Sequence, residues 1–134
     1  SDISNSALEV ATLNRKLHKV SNVSLIQSNW MSFAMENSID LVISNPPYLM
    51  PGDSHLKNLT HEPLIALTSK NGSQSFIDIA HQARSALKPG GKIIFEHGYL
   101  QAKEVSEILQ KYDFHNIVCN QDYQGLNRYT YAIK

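Results

Sequence analysis

The segment Ile39-Asp40-Leu41-Val42-Ile43-Ser44 constrains the fold of this chain more than any other. Its core is continuously apolar, where a half-buried strand would alternate. Such a run suits a strand covered on both faces, as in a parallel sheet. Pro46 and Pro47 follow at once and end any strand or helix there.

The flanking segments alternate in type. Residues 5–18 read as a helix, with Ser6 and Glu9 at capping-box spacing and Ala7, Leu8, Ala11 and Leu17 on one face. Residues 23–27 read as a short strand and residues 29–38 as irregular. Residues 49–72 form a long connection, and a connection of that length in a compact domain is usually functional. Residues 74–87 and 100–112 read as helices. A turn at 88–91 leads into a strand at 92–96, and two last strands lie at 116–120 and 129–133. Alternating strands and helices predict an α/β fold around a mostly parallel sheet. The last two strands follow each other without a helix, so the final one is expected to be antiparallel.

Bulk properties narrow the class. The chain has 134 residues, 42% hydrophobic and 18% charged, which suits one globular domain. A formal net charge of +0 argues against a strongly basic nucleic-acid surface. Cys119 is the single cysteine, so no intrachain disulfide forms and an intracellular setting is expected. No apolar run approaches membrane-spanning length.

Chemistry is expected just past Ser44, because ligands of open α/β sheets bind at the carboxyl ends of strands. There stands Asn45-Pro46-Pro47-Tyr48. The Asn45 side-chain oxygen and the Pro46 carbonyl are two acceptors that the prolines hold in place. Tyr48 offers a ring for stacking. Together they suit a planar substrate carrying an NH2 group, a carboxamide or a nucleobase amine. Gripping both hydrogens favours a pyramidal nitrogen with its lone pair aimed at a methyl donor. Orientation of this kind supplies up to about 7–11 kcal/mol in favourable systems. No base or metal is required. The plainer alternative is that two prolines only punctuate a strand end.

Residues 40–48 resemble the fourth motif of amino-group methyltransferases, enzymes of adenine, guanine or glutamine amino groups. Glu62-Pro63-Leu64-Ile65-Ala66-Leu67, Leu87-Lys88-Pro89-Gly90-Gly91 and Glu96-His97-Gly98 resemble protein-glutamine methyltransferases, and Asp122-Tyr123-Gln124-Gly125-Leu126-Asn127-Arg128 resembles the release-factor glutamine methyltransferases more than the related ribosomal-protein enzymes. The resemblance covers essentially all 134 residues. It implies a Rossmann-like class I fold, S-adenosylmethionine as cofactor, and the Gly-Gly-Gln glutamine of peptide-chain release factors as substrate, in the cytoplasm. It implies that Asn45 and Pro46 hold the glutamine amide and that Pro47 and Tyr48 line its slot, with Asn45 also beside the cofactor. It further implies that Asp2 binds the ribose hydroxyls and that Asn29 and Trp30 lie at the adenine. Asn29 departs from the family, which has Asp there, so the adenine contact would lose charge assistance.

The family's first strand and its Gly-x-Gly-x-Gly turn have no counterpart here. The chain is therefore read as the carboxyl-terminal part of a catalytic domain over residues 1–134, inactive alone. Its strands are expected to repack or to pair with another chain. The alternatives are a nucleobase amino-methyltransferase and a non-catalytic folded module. His97 is assigned no catalytic role, a place in a turn being its plainest reading.

Overall fold

The computed structural model describes residues 1–59 and 61–134, with the backbone alone described at 55 and 58. In chain order the elements are α1 (Asn5–Leu17), β1 (Ile39–Ser44), a 3-10 turn (Ser54–Asn58), α2 (Leu64–Leu67), a second 3-10 turn (Lys70–Gly72), α3 (Gln74–Ala86), β2 (Leu87–Glu96), α4 (Ala102–Lys111), β3 (His115–Gln121) and β4 (Asn127–Ile133).

Among the described residues the strands form one sheet of order β1-β2-β4-β3. β1 pairs with β2 in parallel, and β4 runs antiparallel to both β2 and β3. Three strands therefore share a direction and the last is inverted, as the missing helix between β3 and β4 foretold. The turn expected at residues 88–91 lies inside β2. Ile39 is opposite Leu87 and Leu41 is opposite Lys92, so the intervening residues bulge out of the ladder. Lys134 ties that bulge down, its N–H donating to Gly91 O at 2.9 Å and its Nζ to Leu87 O at 2.6 Å.

The core lies on one face of the sheet. Val42, Ile93, Phe95 and Ala132 point there from the strands, and Phe76, Ile79, Ala80 and Ala83 of α3 and Val105 and Leu109 of α4 meet them. Phe76 and Phe95 pack edge to face, with ring centroids 5.2 Å apart. This is the helical periodicity read from the sequence, with Ile79 buried more fully than Ile77.

Several expectations give way. β1 is not covered on both faces: Leu41 and Ile43 are 44% and 69% exposed. Along the register Ile43, Ile94, Tyr131 and Val118 form a row across the opposite face, where α3 and α4 do not reach. Residues 23–27 do not form a strand. Among the described residues they make one parallel bridge, Asp2 to Gln27, and a ladder needs a neighbour of similar length. The strands have not repacked, and among the described residues β1 pairs on one edge only. α1 starts two residues earlier than a Ser6 cap would place it. Ser4 is the cap, its Oγ accepting from Ala7 N–H at 3.3 Å, while Glu9 accepts from Asn5 Nδ2. No residue of α1 is buried, and Leu17 is exposed. The long connection is also more ordered than expected, holding α2 and both 3-10 turns.

Candidate active site

β1 delivers the tetrapeptide to the carboxyl end of the sheet. Asn45 is exposed, Pro46 is buried, and Pro47 and Tyr48 are half-buried. Tyr48 packs against the main core, so the tetrapeptide is anchored by its last residue and presents its first.

The connection that follows is closed at its base. Leu49 N–H donates to Leu67 O at 3.0 Å and Ser69 N–H to Leu49 O at 2.9 Å, a parallel bridge between residues 49 and 68. Glu62 and Pro63 precede α2, with Pro63 at its cap position and a φ of −61°, the value its ring imposes. Glu62 is exposed and stands away from Asn45 in sequence and in hydrogen bonding. Met50, Leu64 and Ile65 on this connection are also exposed.

A second cluster gathers the other expected residues. Asp2 pairs its backbone with residues 26–28, and Ser1 Oγ donates to Trp30 O at 2.8 Å. Asp2, Asn29 and Trp30, distant from Asp2 in sequence, are thereby brought together. Asp2 is exposed, and its Oδ1 accepts from Ser4 N–H at 2.8 Å, so it also serves the start of α1. Trp30 packs against the core from a half-buried position with φ 55°, a left-handed backbone that is strained for a bulky residue. Met31 N–H, donating to Gln82 Oε1 at 2.8 Å, fixes this segment to α3. No hydrogen bond among the described residues joins this cluster to residues 45–48. What they share is the core beneath both.

His97 lies between the end of β2 and the turn at residues 99–100. It is fully buried at the end of β2, with Nδ1 2.9 Å from Gly98 O and Nε2 2.9 Å from Thr130 Oγ1. Burial holds its pKa below the usual 6.5. Residues 122–128 form a tight connection between β3 and β4. Asp122 Oδ1 accepts from Gln124 N–H at 2.9 Å and Leu126 N–H at 3.1 Å, and Oδ2 accepts from Arg128 Nε at 3.1 Å. The Leu126 N–H bond is the largest cause holding the Asp122 carboxyl below its usual 3.8. Arg128 continues to His97 O at 3.4 Å, so this hairpin is tied to the strand end beside the tetrapeptide. Its residues shape a turn.

Gln101 was not legible as a site residue. Its Nε2 donates to Gly72 O at 3.1 Å and reaches Tyr48 O at 3.5 Å, and its Oε1 accepts from Gly98 N–H at 3.0 Å. One signal was present: it stands at the cap position of α4, where glutamine is a poor cap, and makes no capping bond.

Comparison with known proteins places the chain among methyltransferases. A release factor glutamine methyltransferase of Coxiella burnetii is 34% identical over 132 residues, 98% of this chain and 48% of that protein. A bifunctional methyltransferase of Rickettsia typhi is 36% identical over 132 residues, 95% of this chain and 26% of that protein. The chain spans about half the length of the release-factor enzymes it matches. Among solved structures, a methyltransferase from Pyrococcus furiosus superposes with TM-score 0.69 at 18% identity, over 98% of this chain and 58% of that one. A SAM-dependent methyltransferase from Aquifex aeolicus does so with TM-score 0.63 at 12% identity, over 98% and 65%. These likenesses establish the expected Rossmann-like class I fold, here covering part of it. The family model described as a methyltransferase domain matches residues 1–132, and the chain belongs to that family.

Proposed function

We propose that this chain is the carboxyl-terminal part of the catalytic domain of a cytoplasmic protein-glutamine methyltransferase. Its substrate is the side-chain amide of the Gly-Gly-Gln glutamine in peptide-chain release factors, and its methyl donor is S-adenosylmethionine. The observation that carries this reading is Asn45 standing exposed at the carboxyl end of β1, ahead of a buried Pro46.

Asn45 Oδ1 and the Pro46 carbonyl accept the two amide hydrogens, and Tyr48 and Pro47 flank the amide plane. Holding both hydrogens turns the nitrogen lone pair outward, toward the carbon it attacks. The nitrogen gains a carbon bond and becomes cationic, and it then releases a proton to solvent. When bound, S-adenosylmethionine supplies the methyl group and leaves as the neutral thioether. The exposed Asp2 carboxylate suits a pair of ribose hydroxyls, and the half-buried Trp30 with Asn29 suits an adenine. These residues fit the adenosine end of the cofactor.

A protein partner is supported by the apolar Met50, Leu64 and Ile65, exposed on a connection rooted beside Tyr48. No membrane or nucleic-acid partner is proposed, and no helix among the described residues is long and apolar enough to cross a membrane. Residues 1–134 alone are expected to turn over little and to associate through the unpaired edge of β1.

The test is methyl transfer by the full-length protein to a release factor, with RNA and DNA as competing acceptors. Asn45→Ala should lose about 3–4 kcal/mol of transition-state stabilisation, a rate drop of several hundredfold, as for other preorganised polar contacts. Transfer to RNA or DNA in place of the release factor, or an unchanged Asn45→Ala rate, refutes the reading.

A further inference from the structure

We propose that Gln101 is a positioning residue that latches the tetrapeptide of residues 45–48 in its working geometry. This rests on the function proposed above. The Gln101 carboxamide joins three segments that are distant in sequence. Its Oε1 accepts from Gly98 N–H at 3.0 Å, and its Nε2 donates to Gly72 O at 3.1 Å and, in a longer contact, to Tyr48 O at 3.5 Å. One amide thus spends its acceptor on the β2–α4 connection and its donors on the 3-10 turn and the tetrapeptide.

The surroundings are shaped to admit it. Gly72 has φ +70°, and a Cβ there would stand 3.2 Å from Tyr48 O and 3.3 Å from Met50 Cγ. A Cβ on Gly98 would stand 3.0 Å from Gln101 Oε1. Two glycines therefore leave the space through which Gln101 and Tyr48 approach. Gly72 N–H in turn donates to Ser69 O, and Ser69 N–H to Leu49 O, so the latch closes a circuit around the residue after the tetrapeptide. Tyr48 is held through its carbonyl and through its ring in the core, which leaves Asn45 and Pro46 little freedom to swing. Gln101 touches no reacting atom.

The experiment compares Gln101→Met, Gln101→Glu and Asn45→Ala in the full-length protein. Gln101→Met keeps the length and loses the three side-chain hydrogen bonds, while the backbone bonds of residue 101 to Gly98 and Val105 remain. It should lower kcat about tenfold or more, as small displacements of a positioning group do, with the KM for S-adenosylmethionine unchanged. Amide hydrogen exchange at Leu49 and Gly72 should accelerate. Gln101→Glu keeps the acceptor for Gly98 N–H but sets a carboxylate against two carbonyls. Its deficit should shrink as pH falls, because the protonated carboxyl regains a donor. A filler of space would not show that recovery. A folded Gln101→Met variant with parental kcat and exchange overturns the latch. If that variant fails to fold, a pH-independent Gln101→Glu deficit overturns it. An active Asn45→Ala variant refutes the proposed function separately, since the exchange readout still reports on the latch.

Discussion

Thr130→Val tests the buried pair at the end of β2, because two accounts of it predict opposite signs. Neither Thr130 nor His97 has exposed surface, and Thr130 Oγ1 lies 2.9 Å from His97 Nε2. His97 Nδ1 faces the Gly98 carbonyl at 2.9 Å, so that nitrogen carries the hydrogen and Nε2 accepts from the Thr130 hydroxyl. Valine has nearly the same volume as threonine and is more apolar, so burial alone predicts an unchanged or slightly stabilised protein. The hydrogen-bond account predicts a loss, since Nε2 is left without a donor where water does not reach. An orphaned buried acceptor costs about 1–3 kcal/mol. For a chain of 134 residues that is a fall in Tm of roughly 4–11 °C. Urea unfolding at pH 7.5 or above, where His97 is neutral in both states, measures it directly. Thr130→Val at or above parental stability refutes the assignment. The same pair gives a pH dependence. The folded His97 pKa lies below 6.5, chiefly through burial. The unfolded chain therefore takes up a proton first as pH falls. The stability from neutral His97 is complete above about pH 6.5 and is lost between there and the lowered folded value. His97→Gln should flatten that limb.

Two further outcomes follow from the sheet and its hairpin. Asp122→Asn removes a carboxyl whose folded pKa lies below 3.8, so its stabilisation is present above that value and fades as pH falls through the folded one. The variant should be less stable at pH 7 and less acid-sensitive below about pH 4, and parallel urea midpoints for both proteins across that range would contradict this. Residues 1–134 should associate at rising concentration through β1, and Ile43→Lys, which places a charge on a side chain 69% exposed beside that edge, should shift the species toward monomer by light scattering. A parent that is already monomeric at every concentration contradicts the association.

Elements with a strong local signal were legible in the chain. β1 begins and ends where its apolar run does, and α3 and α4 follow a 3.6-residue period that their buried residues confirm. Those patterns arise within one segment, so no partner is needed to read them. Residues 23–27 are the counterexample. Their composition favours a strand, yet strands exist through neighbours, and among the described residues they make a single bridge, to Asp2. The one-sided exposure of β1 has the same origin, since burial of a face depends on which helices reach it. His97 and Thr130, 33 residues apart, could not be paired by spacing.

The sequence by itself determined the residue set at residues 45–48, because the apolar run, the prolines and the amide are contiguous and their chemistry is local. It also determined the succession β1, α3, β2, α4, β3, β4, and with it the inverted last strand. The tertiary structure decided what stands behind that motif. Gln101, Gly72 and Gly98 meet Tyr48 only because β2 and α4 end beside the connection that leaves β1. A carboxamide makes the same bonds to any backbone within reach, so its sequence context carries no record of which carbonyls it will find.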